Sequence, residues 1–334
     1  MSWAWSQEDK ARLHGFLQSH GLMADMPALT PIGDGHSNFT VLMQGRDRAL
    51  VLRRPPPPPL PPGSNDVLRE ARILSALAGS GLPVPAIVAT GDAGVLFDVP
   101  FYIMEFVDGQ IITADMPPAF ANPPAARAFG MAYVEGMAQL HKVDWQARGL
   151  ADFGRPEGFN RRHLQRIARI PVDAGGAMLP GFVAGHDWLS AHVPAESGAT
   201  IIHNDFRIGN LMWAGDAPPR IVAVLDWELA TLGDPLMDLA YLIASLPRDG
   251  DSHTPVQDLA RAALEPGFPP VTELVARYRA LTGNHADTLR WHLALVNWKL
   301  AALYHYSRGK GTDPYFNEAT HVPRFLAEAA LHMG

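Results

Sequence analysis

Cysteine is missing from all 334 residues, which removes disulfides, thiolate-bound zinc and cysteine nucleophiles from consideration. That absence fits a reducing compartment. Positive charge is also scarce: 27 Lys and Arg stand against 34 Asp and Glu, a net charge of −7. Non-specific nucleic-acid binding runs on clustered cations, so no nucleic-acid partner is expected. No stretch approaches the roughly 18 uninterrupted apolar residues of a membrane span, so no membrane partner is expected either. The N-terminal residues read as an amphipathic helix that lacks the basic start and apolar middle of a secretory signal. A soluble, cytoplasmic chain is the expectation. Fourteen histidines are present, but none falls in an H-E-x-x-H or comparable ligand spacing.

What is present divides in two. Phe39 to Met43 and Ala49 to Arg53 are strand-like runs around the turn Gln44-Gly45-Arg46-Asp47, a hairpin signal. The run PPPPPLPPG at 55–63 has too few backbone donors for a helix or central strand and reads as a stiff polyproline II connector. Residues 64–78 read as a helix with Ser64 or Asn65 as cap and Asp66 in its first turn. Val95 to Val99 and Phe101 to Phe106 suggest two more strands. Helical patterns then dominate, at 124–142, 159–168, 179–192, 236–246, 272–282 and 286–308. A small β-rich part followed by a larger helical part implies an α+β fold with two lobes.

One short stretch concentrates chemistry. HNDFRIGN, residues 203–210, follows the apolar run Thr200-Ile201-Ile202 and precedes two strand-like runs, Leu211-Met212-Trp213 and Ile221 to Leu225. If these pair antiparallel about Pro218, Asn210 faces Asp226, and an amide beside a carboxylate suits a hard cation such as Mg²⁺. Asp205 then sits within reach of that cation and of a substrate proton.

His203-Asn204-Asp205 through Asn210 resembles the H-x-D-x-x-x-x-N catalytic loop of kinase-fold enzymes, and Asp226-Trp227-Glu228 takes the place of their D-F-G. The tail Gly233-Asp234-Pro235-Leu236-Met237-Asp238-Leu239 is similar to the downstream motif of the aminoglycoside phosphotransferase and choline kinase branch. The resemblance implies a two-lobed protein-kinase-like fold, ATP and Mg²⁺ as cofactors, and a small-molecule hydroxyl as acceptor. It implies Asp205 as the base at that hydroxyl, Asn210 and Asp226 as metal ligands, and Asp238 as a brace for the loop, with His203 beneath it. Glu228 is left open between metal, substrate and a capping role.

In the N-terminal part, Gly33 to Thr40 resembles the family's G-x-S-N segment, placing Gly35, Ser37 and Asn38 near nucleotide phosphates. Arg53 stands where the family strand carries lysine, with Arg54 as the alternative one residue on, and Glu70 as its paired carboxylate or else part of a solvated helix face. Tyr102 to Gly109 is similar to the hinge segment, where the Glu105 carbonyl and Val107 N–H would read adenine. The implied boundaries are a nucleotide-binding lobe at 1–104, a hinge at 105–110 and a catalytic lobe at 111–334.

The acceptor is read from charge. Arg161, Arg162, His163, Arg166, Lys299 and Arg308 suit an anionic acceptor better than a polycationic aminoglycoside. L-R-R-P-P, S-N-F-T and H-N-D-F-R-I-G-N resemble the subgroup of kinase-like domains associated with acyl-CoA dehydrogenases, which implies a hydroxyacyl-CoA or a related anionic alcohol. Aminoglycoside or amino-alcohol kinase, a silent nucleotide-binding pseudokinase and a metal hydrolase are the alternatives. Sequence does not give the oligomeric state.

Overall fold

The N-terminal amphipathic stretch folds as helix α1 (Gln7–Ser19), whose cap is reciprocal: the Ser6 hydroxyl accepts from the Asp9 N–H, and the Asp9 carboxylate accepts from the Ser6 N–H. The computed structural model describes residues 5–33, 38–57, 65–248, 250, 253–311 and 313–334. Strands β1 (Ala28–Pro31), β2 (Phe39–Gln44), β3 (Ala49–Arg54), β4 (Ile87–Gly91) and β5 (Phe101–Glu105) form an antiparallel sheet ordered β1-β2-β3-β5-β4. Helix α2 (Val67–Leu77) lies in the chain between β3 and β4.

Side chains alternate between the faces of a strand. Val41, Met43, Leu50, Leu52, Phe101 and Ile103 join Leu13 and Leu17 of α1 in one core. Arg53 and its cross-strand partner Tyr102 both engage Glu70 of α2. The sheet therefore has an apolar face and a face that carries a buried ionic cluster.

Two expectations need correction here. Helix α2 begins at Val67, not Ser64, because Asp66 is the cap and accepts from the Arg69 N–H at 3.0 Å. The run 95–99 is not a strand but a succession of turns and bends. Its side chains Leu96, Phe97 and Val99 are buried in the α1 core, and that anchoring produces the apolar spacing. The strand in this region is β4, eight residues earlier in the chain, whose half-buried side chains gave no alternation.

The remaining elements are β6 (Gln110–Ile111), α3 (Pro123–His141), α4 (Phe159–Ile167), α5 (Pro180–Ala191), β7 (Thr200–Ile202), β8 (Leu211–Trp213), β9 (Ile221–Val224), β10 (Thr231–Gly233), α6 (Leu236–Ser245), α7 (Pro255–Asp258), α8 (Val271–Thr282), α9 (Leu289–Lys310) and α10 (His321–Leu331). Helix α9 is buried along most of its length. Trp291, Leu295, Trp298 and Ala302 share a core with Ala240, Tyr241 and Ala244 of α6, Phe182 of α5 and Phe325 of α10. Strands β7 and β10 pair antiparallel with Gly233 opposite Thr200. A Cβ at Gly233 would fall 2.7 Å from Ile202 Cδ1 and 2.8 Å from the Phe159 ring, so only glycine fits there. Strands β6, β8 and β9 form a second small sheet in that order. The Ala214 N–H donates to the Arg220 carbonyl at 3.0 Å, centring that turn on Ala217, one residue before the centre expected at Pro218.

The chain forms two compact units. The smaller holds residues 1–108 together with 223–228; the larger holds 109–222 and 229–334. Among the described residues no helix is long and apolar enough to cross a membrane.

Candidate active site

In the larger unit, the loop 203–210 leaves β7 and is fastened from beneath by Asp238, in the first turn of α6. This fully buried carboxylate accepts the backbone N–H groups of His203 and Asn204, each at 2.7 Å. It also lies 3.2 Å from His141 Nε2, whose Nδ1 is 2.8 Å from the Tyr278 hydroxyl. Burial opposes the Asp238 charge, but the hydrogen bonds from His141 and the His203 N–H, with the electrostatic effect of the two imidazoles, outweigh it and hold the carboxyl below its ordinary range. Asn204 has φ +66°, a left-handed conformation that asparagine tolerates, and its amide donates to the Leu229 carbonyl at 2.9 Å. The His203 ring is fully buried edge-on to Phe206, with centroids 5.8 Å apart.

Above this base, Asn210 Nδ2 donates to both the Asp205 carbonyl at 2.9 Å and Asp205 Oδ2 at 2.7 Å. Two oxygens around the amide nitrogen fix which way the amide points. Among the described residues the Asn210 side-chain oxygen has no protein partner. Arg207 Nε sits 3.6 Å from Asp205 Oδ1.

In the smaller unit, the choice between the two arginines is resolved. Arg53 Nε lies 3.1 Å from Glu70 Oε2, an ion pair without hydrogen-bond alignment, and Nη2 donates to Asp226 Oδ1 at 3.1 Å. Arg54 is on the opposite face, its guanidinium 5.3 Å from the Phe39 ring centroid and 5.1 Å from that of Phe97. Glu70 is buried, not a solvated helix face; it accepts from Tyr102 at 3.1 Å and from Asn38 Nδ2 at 3.0 Å. Burial pushes its carboxyl up to about 7, with Arg53 offsetting part of the effect and Glu228 and Asp226 adding to it. Burial also works against the Arg53 charge but is outweighed by Glu70, Tyr102, Asp226 and Glu228, so the guanidinium stays ionised.

Asp226 has φ +64°, and its Oδ2 has no protein partner among the described residues. Asn38 is buried and spans Glu70 and Asn65. Gly35 and Ser37 lie outside the described residues. The Glu105 carboxylate pairs with Arg48, and the Val107 N–H has no partner among the described residues.

A second buried carboxylate was visible in sequence only as part of the G-D-P motif. Asp234 accepts from His292 Nε2 at 3.1 Å, Ser197 Oγ at 2.6 Å, Asn160 Nδ2 at 2.9 Å and the Leu236 N–H at 3.0 Å. Burial opposes its charge, yet His292 and Ser197 hold it well below the usual carboxylate range. A depressed folded pKa contributes stability that is complete above the unfolded value of about 3.9 and is lost as pH falls through the folded one. Asp234 and Asp238 are both of this kind. Melting temperature is therefore expected to fall most steeply below about pH 4, toward pH 2, and Asp234→Asn to flatten that slope; an equally steep slope in the variant would refute it.

His141, Tyr278, Tyr102, His292 and Ser197 escape a reading by motif. They meet their partners across 32 to 137 positions of sequence, and no local pattern marks them.

The sequence profile of the phosphotransferase enzyme family matches residues 28–280. A mouse protein named acyl-CoA dehydrogenase family member 10 is 34% identical over 300 residues, covering 87% of this chain and 27% of that protein. Human acyl-CoA dehydrogenase family member 11 is 31% identical over 306 residues, covering 88% of this chain and 38% of that protein. The chain thus spans well under half the length of these relatives. Among solved structures, an aminoglycoside phosphotransferase homologue from Ralstonia eutropha is 27% identical with a TM-score of 0.77, covering 97% of this chain and 96% of that one. An aminoglycoside phosphotransferase solved with AMP-PNP and hygromycin B is 16% identical with a TM-score of 0.63, over 98% of both chains. The fold is the expected two-lobed, protein-kinase-like α+β architecture, and the chain belongs to the phosphotransferase enzyme family.

Proposed function

We propose that the chain transfers the γ-phosphoryl group of ATP to a hydroxyl of a small molecule, with magnesium as the accompanying cation. The Asp205–Asn210 arrangement carries this reading: the asparagine amide steadies the carboxylate and turns its own oxygen outward. The acceptor oxygen bonds to the γ-phosphorus, its proton passes to Asp205, and the bond to the β–γ bridging oxygen breaks, leaving ADP. Asp238 and His203 are positioning residues for that loop. Asn210 and Asp226 are the proposed magnesium ligands. Each keeps one oxygen without a protein partner among the described residues, and magnesium retains waters and takes few protein oxygens. When bound, the cation supplies neutralisation of phosphate charge.

Arg53, set by Glu70, is proposed to hold nucleotide phosphates in place of the family lysine, with Gly35, Ser37 and Asn38 alongside. Residues 105–110 serve as the connector between lobes at 1–104 and 111–334, with the Glu105 carbonyl and Val107 N–H reading adenine. Arginine forks onto phosphate as lysine does not. Charge-assisted hydrogen bonds are worth about 1.5–3 kcal/mol, so Arg53→Ala should weaken ATP about 10–100-fold in calorimetry and Arg53→Lys distinctly less. Unchanged ATP affinity in the alanine variant would remove Arg53 from the nucleotide site.

The favoured acceptor is a hydroxyacyl-CoA or a related anionic alcohol. Support comes from relatives named as acyl-CoA dehydrogenases and from the cations Arg166 and Lys299 in the unit that carries Asp205. A second reading, an aminoglycoside or amino-alcohol acceptor, draws on a viomycin phosphotransferase 25% identical over 240 residues, 70% of this chain. Purified protein with ATP and Mg²⁺, offered hydroxyacyl thioesters, amino alcohols and aminoglycosides in parallel, decides between them by the phosphorylated product. Absence of any Mg²⁺-dependent ATP turnover would leave the silent nucleotide-binding alternative.

A further inference from the structure

Lys299 occupies an unusual position for an ammonium group. It lies in the buried stretch of α9 between Trp298 and Leu300 and is only 5% exposed. The buried carboxylates of the same unit have partners: Asp234 has His292, Ser197 and Asn160, and Asp238 has His141 and two loop amides. Lys299 has neither an ion pair nor a hydrogen bond among the described residues. Its Nζ rests 5.2 Å from the centroid of the Tyr241 ring. Nor is it sealed, since Nζ is absent from the buried, partnerless polar atoms. A buried cation without a counter-charge is costly, and a protein normally pairs it or neutralises it.

The surroundings specify what would pair it. Burial pulls the Lys299 ammonium down to about 8, while Asp205 and Asp238 act in the opposite direction. Burial and the Asp205 carboxylate together push the Tyr241 hydroxyl up, so the ring that Lys299 Nζ rests against is also within electrostatic reach of Asp205. On α4, His163 is buried with its Nε2 lacking any hydrogen-bond partner, and Arg166 Nη2 is 2.9 Å from its Nδ1. Burial first, then Lys299 and Arg166, hold His163 well below its ordinary pKa. A buried imidazole, an ammonium without an ion pair and a guanidinium thus influence one another within the unit that carries Asp205, and Lys299 is within electrostatic reach of that carboxylate. All three can donate hydrogen bonds, which suits oxygen, and the net charge suits a negative or strongly polarised one.

We infer that Lys299 is a specificity-determining residue that receives the carboxyl-derived oxygen of the acceptor, a carboxylate or a thioester carbonyl a few carbons from the reacting hydroxyl, with His163 as a second donor. This rests on the phosphotransfer reading and narrows its substrate class to hydroxyacyl compounds. Cationic acceptors meet repulsion at the same place.

Two probes without a hydroxyl, butanoate and butanoyl-CoA, test recognition apart from turnover. Calorimetry on wild type, Lys299→Met and Lys299→Arg should give binding of at least one probe. That affinity should fall about tenfold or more in the methionine variant and stay within about threefold in the arginine variant. Lys299-dependent binding of butanoate alone supports a free hydroxy acid; of butanoyl-CoA, the thioester. With the corresponding 3- and 4-hydroxy compounds, the loss in Lys299→Met should appear in KM and not in kcat, while 1,4-butanediol is turned over equally by both proteins. Lys299→Met should melt no lower than wild type, since it removes an unpaired buried charge. Equal probe affinity in Lys299→Met overturns the assignment, as does a parallel loss of ATP binding, the sign of a merely structural role. Failure of wild type to bind either probe also overturns it. Mg²⁺-dependent ATP turnover with any alcohol would then leave the phosphotransfer reading standing separately.

Discussion

Asp205→Asn should lower kcat about 10²–10⁴-fold, the range of a lost general base, while ATP affinity stays within about threefold. The substitution isolates chemistry from shape. Asn210 Nδ2 donates to Asp205 Oδ2 at 2.7 Å, and a replacement amide can keep an oxygen toward that donor. Arg207 Nε, at 3.6 Å from Oδ1, is at ion-pair distance and loses that charge partner. What disappears is a site able to take the acceptor proton. Single-turnover measurements with saturating ATP and Mg²⁺ would show the loss in the phosphoryl-transfer rate. Preserved transfer at the wild-type rate would exclude Asp205 as the base.

Asp238→Ala should be the most destabilising single change near the loop, by about 3–5 kcal/mol, the cost of removing one partner from a buried ionic network. Two backbone N–H groups at 2.7 Å and a histidine nitrogen at 3.2 Å would lose their acceptor together. The two amides belong to His203 and Asn204, and Asn204 is held in a left-handed conformation, so the loop should relax once the clamp is gone. Urea unfolding should show the loss in the midpoint with an unchanged slope. His141→Ala should reproduce a smaller part of it, since the two loop amides keep their acceptor. An unfolding free energy within about 0.5 kcal/mol of wild type in Asp238→Ala would mean that the clamp contributes nothing.

How much of this was legible depends on distance along the chain. Asp205 and Asn210 are five residues apart on one loop, and Asp238 follows a recognisable G-D-P-x-x-D-L run, so local pattern was enough. Helices α3, α4, α5, α6, α8 and α9 announced themselves through long periodic apolar faces and lie within a few residues of expectation. Short elements did not. Strand β4 is half-buried and shows no alternation, whereas Leu96, Phe97 and Val99 anchor a loop in the α1 core and imitate a strand. Choosing Arg53 over Arg54 needed the strand faces, because adjacent residues point opposite ways and only the structure shows which face carries Glu70. His141 was out of reach for a further reason, and Lys299 could be named only as one cation among several. His141 has partners distant in sequence, Lys299 has neither an ion pair nor a hydrogen bond among the described residues, and neither condition leaves a mark on a linear pattern.

The six residues 223–228 belong with the first 108, although 114 others separate them in the chain. Arg53 therefore waits for a carboxylate encoded 173 positions later. At synthesis rates of about 5–20 residues per second, the nascent polypeptide emerges for roughly 10–30 s with that guanidinium balanced by Glu70 alone. The ribosome thus releases the sheet before its last charge arrives, and a fragment cut at residue 108 would be permanently deprived of it.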